Sequence, residues 1–343
     1  MHASDIHILA VGTALPGPAV DNAALARRFG MEAVWEQWID VFIGTRTRHL
    51  SVDLDSGEIR SSLAELATAA AGRALAEAGL AAGDIDVMVL GTATPDVLMP
   101  ATVNIVADRL GINELPTYQL QSGCAGAVQA LDVASTLLAT GRHRTALVLG
   151  GDVSAKHFDL DVDLRALSPE ELVNFVLFGD GAGAAVLSTE PVAGSVAIRA
   201  IVNRLTGLGR APGQVIEWFG LADRHADRPA ASEDYKMIEE SVPVMAGEIL
   251  AELLDGLGWD ADDVDYLLPP QLSGRMTARI MRTLDAPRAQ EITCVHETGN
   301  NGNALPFLQL ERALPKMAAG DRAVGIAVES SKWIKAGFAL ERI

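Results

Sequence analysis

The chain has 343 residues, 49% of them hydrophobic and 21% charged, a composition that describes a packed globular protein and excludes a disordered one. Its net charge of −18 argues against nucleic acid or an anionic membrane surface as partner. No apolar run approaches the ~20 residues that span a bilayer, and the N-terminus lacks the basic stretch and apolar core of a signal peptide. Two cysteines, Cys124 and Cys294, suggest no disulfide framework, so a cytoplasmic protein is expected. The length leaves room for one large domain or two of about 170 residues.

In chain order, residues 6–12 read as an apolar strand ending in a Gly/Pro turn, and Asp21 as the N-cap of a helix over 22–29. A long Ala/Leu-rich helix over 61–78 stops at Gly79, and a β-branched strand follows over 85–90. Residues 117–120 read as a buried strand and 128–134 as a helix, with Gln121-Ser122-Gly123-Cys124-Ala125-Gly126-Ala127 between them. Cys124 therefore falls at a strand-to-helix turn. Unpaired N–H groups and the helix dipole there predict a lowered thiol pKa and a nucleophile, while a buried structural cysteine is the competing reading. Further strands cover 146–149 and 184–187. Short strands alternating with helices define an α/β layered architecture.

An internal repeat runs through this pattern. Residues 81–90 recur in outline at 259–268, residues 117–126 at 292–302, and residues 144–150 at 321–327. Three matches in the same order predict two copies of one α/β unit, over residues 1–188 and 189–343. Facing copies bring the helix that starts near Cys124 toward the one that starts near Asn301, with N–H donors available for an oxyanion.

The segment Leu177-Phe178-Gly179-Asp180-Gly181-Ala182-Gly183-Ala184-Ala185-Val186-Leu187 resembles a motif of the β-ketoacyl-acyl-carrier-protein synthase III group of the thiolase superfamily. Trp38-Ile39 with Gly44-Thr45-Arg46-Thr47-Arg48-His49, the cysteine turn, Gly150-Gly151-Asp152-Val153 and Gly299-Asn300 stand where the family has its other signatures. The resemblance covers the chain and implies a thiolase-like duplicated αβαβα five-layer fold, a homodimer, and Cys124 as the residue acylated by an acyl-carrier-protein (ACP) or coenzyme A (CoA) thioester. No metal or further cofactor is expected. In the family a His and an Asn then support decarboxylation of a malonyl thioester, and Asn300 matches that Asn.

Three departures stand out. Pro270, in Pro269-Pro270-Gln271-Leu272-Ser273, occupies the place of the family His, and proline offers no proton. His296, four residues before Asn300, is the expected replacement if the segment is an extended strand; His157 is a second candidate, His143 looks solvated, and Glu297 orients His296 only if the strand ends there. The family's Gly-rich turn near the C-terminus is replaced by Glu329-Ser330-Ser331-Lys332-Trp333. Ser331 or its neighbour is expected to keep the oxyanion-hole N–H, with the bulk of Glu329 and Trp333 reshaping the pocket. Trp38 matches a residue lining the CoA channel, but Phe42 replaces an arginine that pairs with phosphate. Arg275, beside Arg279 and Arg282, matches a position used to dock the carrier protein; a solvated helix face is the alternative.

The leading reading is a synthase-III-like acyltransferase that passes the acyl group from Cys124 to an acceptor in fatty-acid-like or polyketide metabolism. A decarboxylating Claisen-type synthase using malonyl-ACP is the second. A non-catalytic acyl-binding subunit is the third. Pocket size is left to the loops 206–215 and 223–234.

Overall fold

The computed structural model describes residues 5–218, 220, 222, 225 and 231–343. The first half runs β1 (Ile6–Ala14), β2 (Val20–Asp21), α1 (Asn22–Arg28), α2 (Ala33–Trp38), β3 (Thr47–Arg48), α3 (Leu63–Ala78), β4 (Val87–Thr92), α4 (Thr102–Leu110), β5 (Thr117–Gln121), α5 (Gly126–Ala139), β6 (Thr145–Asp152), α6 (Pro169–Leu177) and β7 (Gly181–Ser188). The second half runs β8 (Val196–Leu205), β9 (Gln214–Ile216), β10 (Ala231–Glu233), α7 (Tyr235–Leu257), β11 (Tyr266–Leu268), α8 (Gly274–Met281), β12 (Gln290–Glu291), α9 (Val295–Thr298), α10 (Leu305–Ala313), β13 (Arg322–Glu329) and β14 (Ile334–Arg342).

Local chemistry explains where the elements begin and end. Asp21 caps α1 by accepting from Ala24 N–H at 2.7 Å. Ser62 and Glu65 form a capping box at the start of α3, and Gly79, at φ +67°, ends it in the left-handed region that glycine tolerates.

Ten strands join into one sheet in the order β12-β11-β13-β14-β8-β1-β7-β6-β4-β5. Counted within each half, β1-β7-β6-β4-β5 and β8-β14-β13-β11-β12 share one order: first, fifth, fourth, second, third. The halves meet where β1 pairs antiparallel with β8, Ile6 opposite Ile198 and Ile8 opposite Val196. Side-chain chemistry repeats as well. Asp84 and Asp263 each accept from the backbone N–H three residues earlier, at Ala81 and Asp260. Asp86 accepts from Arg144 and Thr145 N–H, and Asp265 from Arg322 N–H.

Five layers follow from where the apolar faces go. α3 and α4 cover one outer face of the first half through Ala67, Ala70, Ala74, Val103 and Val106. α7 and α8 cover the second half through Ile249, Leu253, Met276 and Ile280. α5 and α10 form the middle layer, with Val128, Leu131, Phe307 and Leu310 in one core with strand residues of both halves. Both helices pack apolar residues against both halves, while Glu311 is exposed and Arg312 partly exposed on α10. One expectation fails here: β5 is not a buried strand. It ends the sheet, and Tyr118 is 41% exposed, because no strand pairs with its outer edge among the described residues.

The glycines of the 177–187 motif serve packing. A Cβ on Gly183 would lie 2.2 Å from Cβ of Phe307 in the middle layer. Gly183→Ala is expected to cost about 1–3 kcal/mol by overpacking, read as a lower urea midpoint.

Candidate active site

Cys124 sits in the turn between β5 and α5, partly exposed. Small residues are required here because backbone approaches backbone: a Cβ on Gly91 would lie 2.3 Å from Gly126 O, and one on Gly126 2.6 Å from Asn303 Oδ1. The second half reaches the turn through Asn303, just before α10. Its Oδ1 accepts from Ala127 N–H at 2.8 Å, and its Nδ2 donates to Ser122 O at 3.1 Å and Asp152 Oδ2 at 2.9 Å. Asp152 Oδ2 also accepts from Asn303 N–H, while its Oδ1 accepts from Thr92, Ala93 and Thr94. The two helix starts do meet, but Asn303 consumes one of the donors that the dipole argument relies on.

The thiol pKa is therefore raised, not lowered. Burial pushes it up to about 12, and the carboxylates of Glu329, Asp152 and Glu233 add to the shift; only the cysteine's own backbone N–H works against them. Charge and desolvation outweigh a partial dipole whose first-turn N–H is already bonded. Burial likewise pushes the Asp152 and Glu233 carboxyls up.

Cys124 lines a cavity of about 30 Å³ with Pro270, Gln271, Asn300, Ile326 and Val328. Asn300 is held by its backbone, its N–H donating to Leu177 O and its carbonyl accepting from Gly179 N–H, and its Oδ1 accepts from Gly302 N–H. Pro270 lines this cavity and offers it no proton. Gln271 and Gln309 pin the surrounding loop through Cys294, Val295, Pro269 and Ile292.

His296 is not on an extended strand. It lies in α9, a single helical turn, and the four-residue strand argument fails because Gly299, at φ +73°, breaks the chain direction before Asn300. Its Nδ1 is 2.5 Å from Gly44 O, its carbonyl accepts from Arg46 N–H, and it is not among the residues lining the cavity. Glu297 pairs with Arg312 at 2.8 Å and Arg46 at 3.7 Å and does not bond the imidazole. His157 is exposed on a short turn after Asp152.

Trp38, Phe42 and Arg275 do come together. After α2 the helix continues as a π-turn, Ile39–Ile43, closed by Gly44 N–H donating to Ile39 O at 2.9 Å. Trp38 and Phe42 lie 6.4 Å apart between ring centroids, and the Arg275 guanidinium sits 5.5 Å over Phe42. Phe42 is 52% exposed. Arg279 is paired with Glu239 at 2.6 Å, and Arg282 is exposed.

In the replaced turn, Ser331 Oγ and Ser122 Oγ both donate to the Glu329 carboxylate, the latter at 2.6 Å. Trp333 does not enter the pocket. At φ +64° it turns inward, fully buried, with Arg210 3.8 Å over its ring and its indole N–H on Ala211 O. Of the loops expected to set pocket size, residues 223, 224 and 226–230 lie outside the described residues; β10 brings Glu233 close enough to act on Cys124. Sequence reading missed the contacts of Asn303, Asp152 and Glu329. Only the acidic residue in a normally Gly-rich turn hinted at the last.

A duplicated αβαβα fold with a cysteine at the facing helix starts defines the thiolase-like class of acyl-accepting enzymes. The profile of 3-oxoacyl-(acyl-carrier-protein) synthase III matches residues 118–202, and its C-terminal counterpart matches 254–330. A β-ketoacyl-(acyl-carrier-protein) synthase III of Streptomyces coelicolor is 31% identical over 92% of this chain and 90% of that protein. The solved structure of AbyA1, a tetronic acid condensing enzyme, is 62% identical, covers 98% of this chain and 99% of its own, and superposes with a TM-score of 0.95. The priming β-ketosynthase of the R1128 polyketide pathway is 26% identical over 99% and 96%, with a TM-score of 0.81. The chain belongs to the β-ketoacyl-(acyl-carrier-protein) synthase III family of condensing enzymes. No helix among the described residues is long and apolar enough to cross a membrane.

Two outcomes test this site. Asn303→Ala leaves Ala127 N–H and Ser122 O without a partner and is expected to lower unfolding free energy by at least about 2 kcal/mol in urea titration. With the thiol raised to about 12, alkylation of the Cys124 peptide by iodoacetamide is expected to rise about tenfold per pH unit through about pH 10, with no plateau near the ordinary thiol value.

Proposed function

We propose that the chain condenses a short acyl group carried on Cys124 with a carbon nucleophile flanked by two carbonyls and closes a tetronic acid ring. The observation that carries this reading is Pro270 in the Cys124 cavity beside Asn300, together with the 62% identity to a tetronic acid condensing enzyme. A tetronic acid is a five-membered lactone. It disconnects at the carbon–carbon bond between an α-hydroxyacyl carbonyl and the flanked carbon, and at the carbon–oxygen bond between that hydroxyl and the second carbonyl. Such a carbon loses a proton without losing carbon dioxide, so the chemistry has no use for the missing histidine.

In this reaction the α-hydroxyacyl thioester first acylates Cys124 and releases its carrier thiol. The acceptor carbon then attacks the acyl carbonyl and expels the cysteine sulfur. The hydroxyl attacks the acceptor's own thioester, expels the second carrier thiol and closes the lactone. A cavity of only about 30 Å³ beside Cys124 supports a short acyl group over a long chain.

The donors are carrier-protein thioesters in this reading. An aromatic ring at Phe42 cannot pair with the phosphates of coenzyme A, whereas the exposed Arg275 above it offers a cation to an acidic carrier on a chain of net charge −18. A homodimer is part of the proposal, supported by the half-exposed outer edge of β5, and sedimentation equilibrium at twice the monomer mass is its check.

Intact-mass spectrometry with a panel of acyl thioesters is expected to show a mass increment on Cys124 that disappears on adding a β-ketoacyl carrier protein, with release of the cyclised product and no carbon dioxide. Carbon dioxide release from malonyl carrier protein would establish the decarboxylating synthase instead. A folded protein that never acylates would restore the binding-subunit reading. Arg275→Glu is expected to raise KM for carrier-bound donors at least about fivefold and leave acylation by small pantetheine thioesters unchanged.

A further inference from the structure

The last residue of β13, Glu329, is a carboxylate for which the proposed reaction has no role. Glu329 is 5% exposed and follows Ile326, Ala327 and Val328, all of which line the Cys124 cavity. Its two oxygens accept from Ser122 Oγ and Ser331 Oγ. A Cβ on Gly123 would lie 3.1 Å from Glu329 Cδ, so the carboxylate rests against both residues that precede the nucleophile. Among the described residues it has no cationic partner. Keeping such a group beside a thiol is costly unless chemistry uses it.

The other titratable groups facing the sulfur are already engaged. Asp152 receives donors on both oxygens from Thr92, Ala93, Thr94 and Asn303. Glu233, bonded to Gln214 Nε2, makes no hydrogen bond to the cysteine turn among the described residues, whereas Glu329 does. His296 is spent on Gly44 O, and among the described residues no histidine bonds to the cysteine turn. Among the described residues Glu329 has two hydroxyl donors, so its oxygens retain lone pairs for a proton.

On the reading of the chain as a condensing enzyme for an acidic carbon nucleophile, we infer that Glu329 is the general base of the carbon–carbon step. Its carboxylate takes the proton from the acceptor carbon between the two carbonyls. The carbanion attacks the acyl carbonyl on Cys124, the new carbon–carbon bond forms, and the carbon–sulfur bond breaks. Glu329 then returns the same proton to the departing sulfur, which restores carboxylate and thiol. That return matters because a sulfur facing carboxylates departs poorly as an anion and leaves more readily when protonated as it goes. Ser122 and Ser331 are positioning residues that aim the carboxylate.

The test separates charge from base. Glu329→Gln keeps the shape and one serine hydrogen bond, with the other hydroxyl turned to accept from the new amide, but removes the negative charge beside the sulfur. Alkylation of Cys124 by iodoacetamide at neutral pH is expected to quicken in this variant, and acylation by the donor thioester to persist, while discharge by the β-ketoacyl acceptor slows by about 10²-fold or more. Glu329→Asp recovers part of the discharge rate, and Ser331→Ala loses only a few-fold. Discharge at the wild-type rate in Glu329→Gln overturns the inference. So does parallel loss of alkylation, acylation and discharge in a variant with unchanged circular dichroism, which would make Glu329 a scaffold for the turn. A wild-type protein that acylates yet ignores every carbon acceptor removes the condensing reading and this inference with it, a pattern distinct from either variant result.

Discussion

The contact between Asp152 and Asn303 is the constraint on which the site depends. Asp152 ends a strand of the first half, and Asn303 opens a helix of the second. One buried amide side chain thereby satisfies the first turn of α5, the carbonyl of Ser122 and the Asp152 carboxylate at once. Neither half completes the cysteine turn alone. Buried polar groups of this kind stabilise only when every member is bonded, which ties the nucleophile's geometry to the docking of the two copies.

The same knot gives the site its electrostatic character. By taking up a helix N–H that would favour a thiolate, and by bringing carboxylates close, it leaves a thiol that resists ionisation. Acyl transfer to and from such a sulfur has to move a proton with it, and the family's usual histidine is a proline. An electronegative pocket also repels a carboxylated acceptor such as a malonyl group more than it repels a neutral carbon acid. Pro270 and Glu329 therefore push the chemistry the same way, although one follows β11 and the other ends β13.

Much of the fold was legible because it rests on local signals. The capping box at Ser62, the Gly79 stop, the glycine motif over 177–187 and the paired 81–90 and 259–268 segments all express short-range preferences that survive in the structure. The edge position of β5 was not legible, since an apolar run reads alike in the middle of a sheet and at its rim. His296 shows the limit most clearly. Its spacing from Asn300 looked like strand periodicity, yet one positive-φ glycine between them turns the chain and sends the imidazole to Gly44.

The sequence by itself determined the duplicated architecture, the cysteine at a strand-to-helix turn and the loss of the family histidine. Those follow from composition, periodicity and motif order, which act over a few residues. Only the tertiary structure decided the charge around Cys124, the inward turn of Trp333 and the contact of Glu329 with the nucleophile's own turn. Positions 124 and 329 are brought together by two strands of different halves, and a pKa is set by what surrounds a group in space, which residue spacing along the chain does not encode.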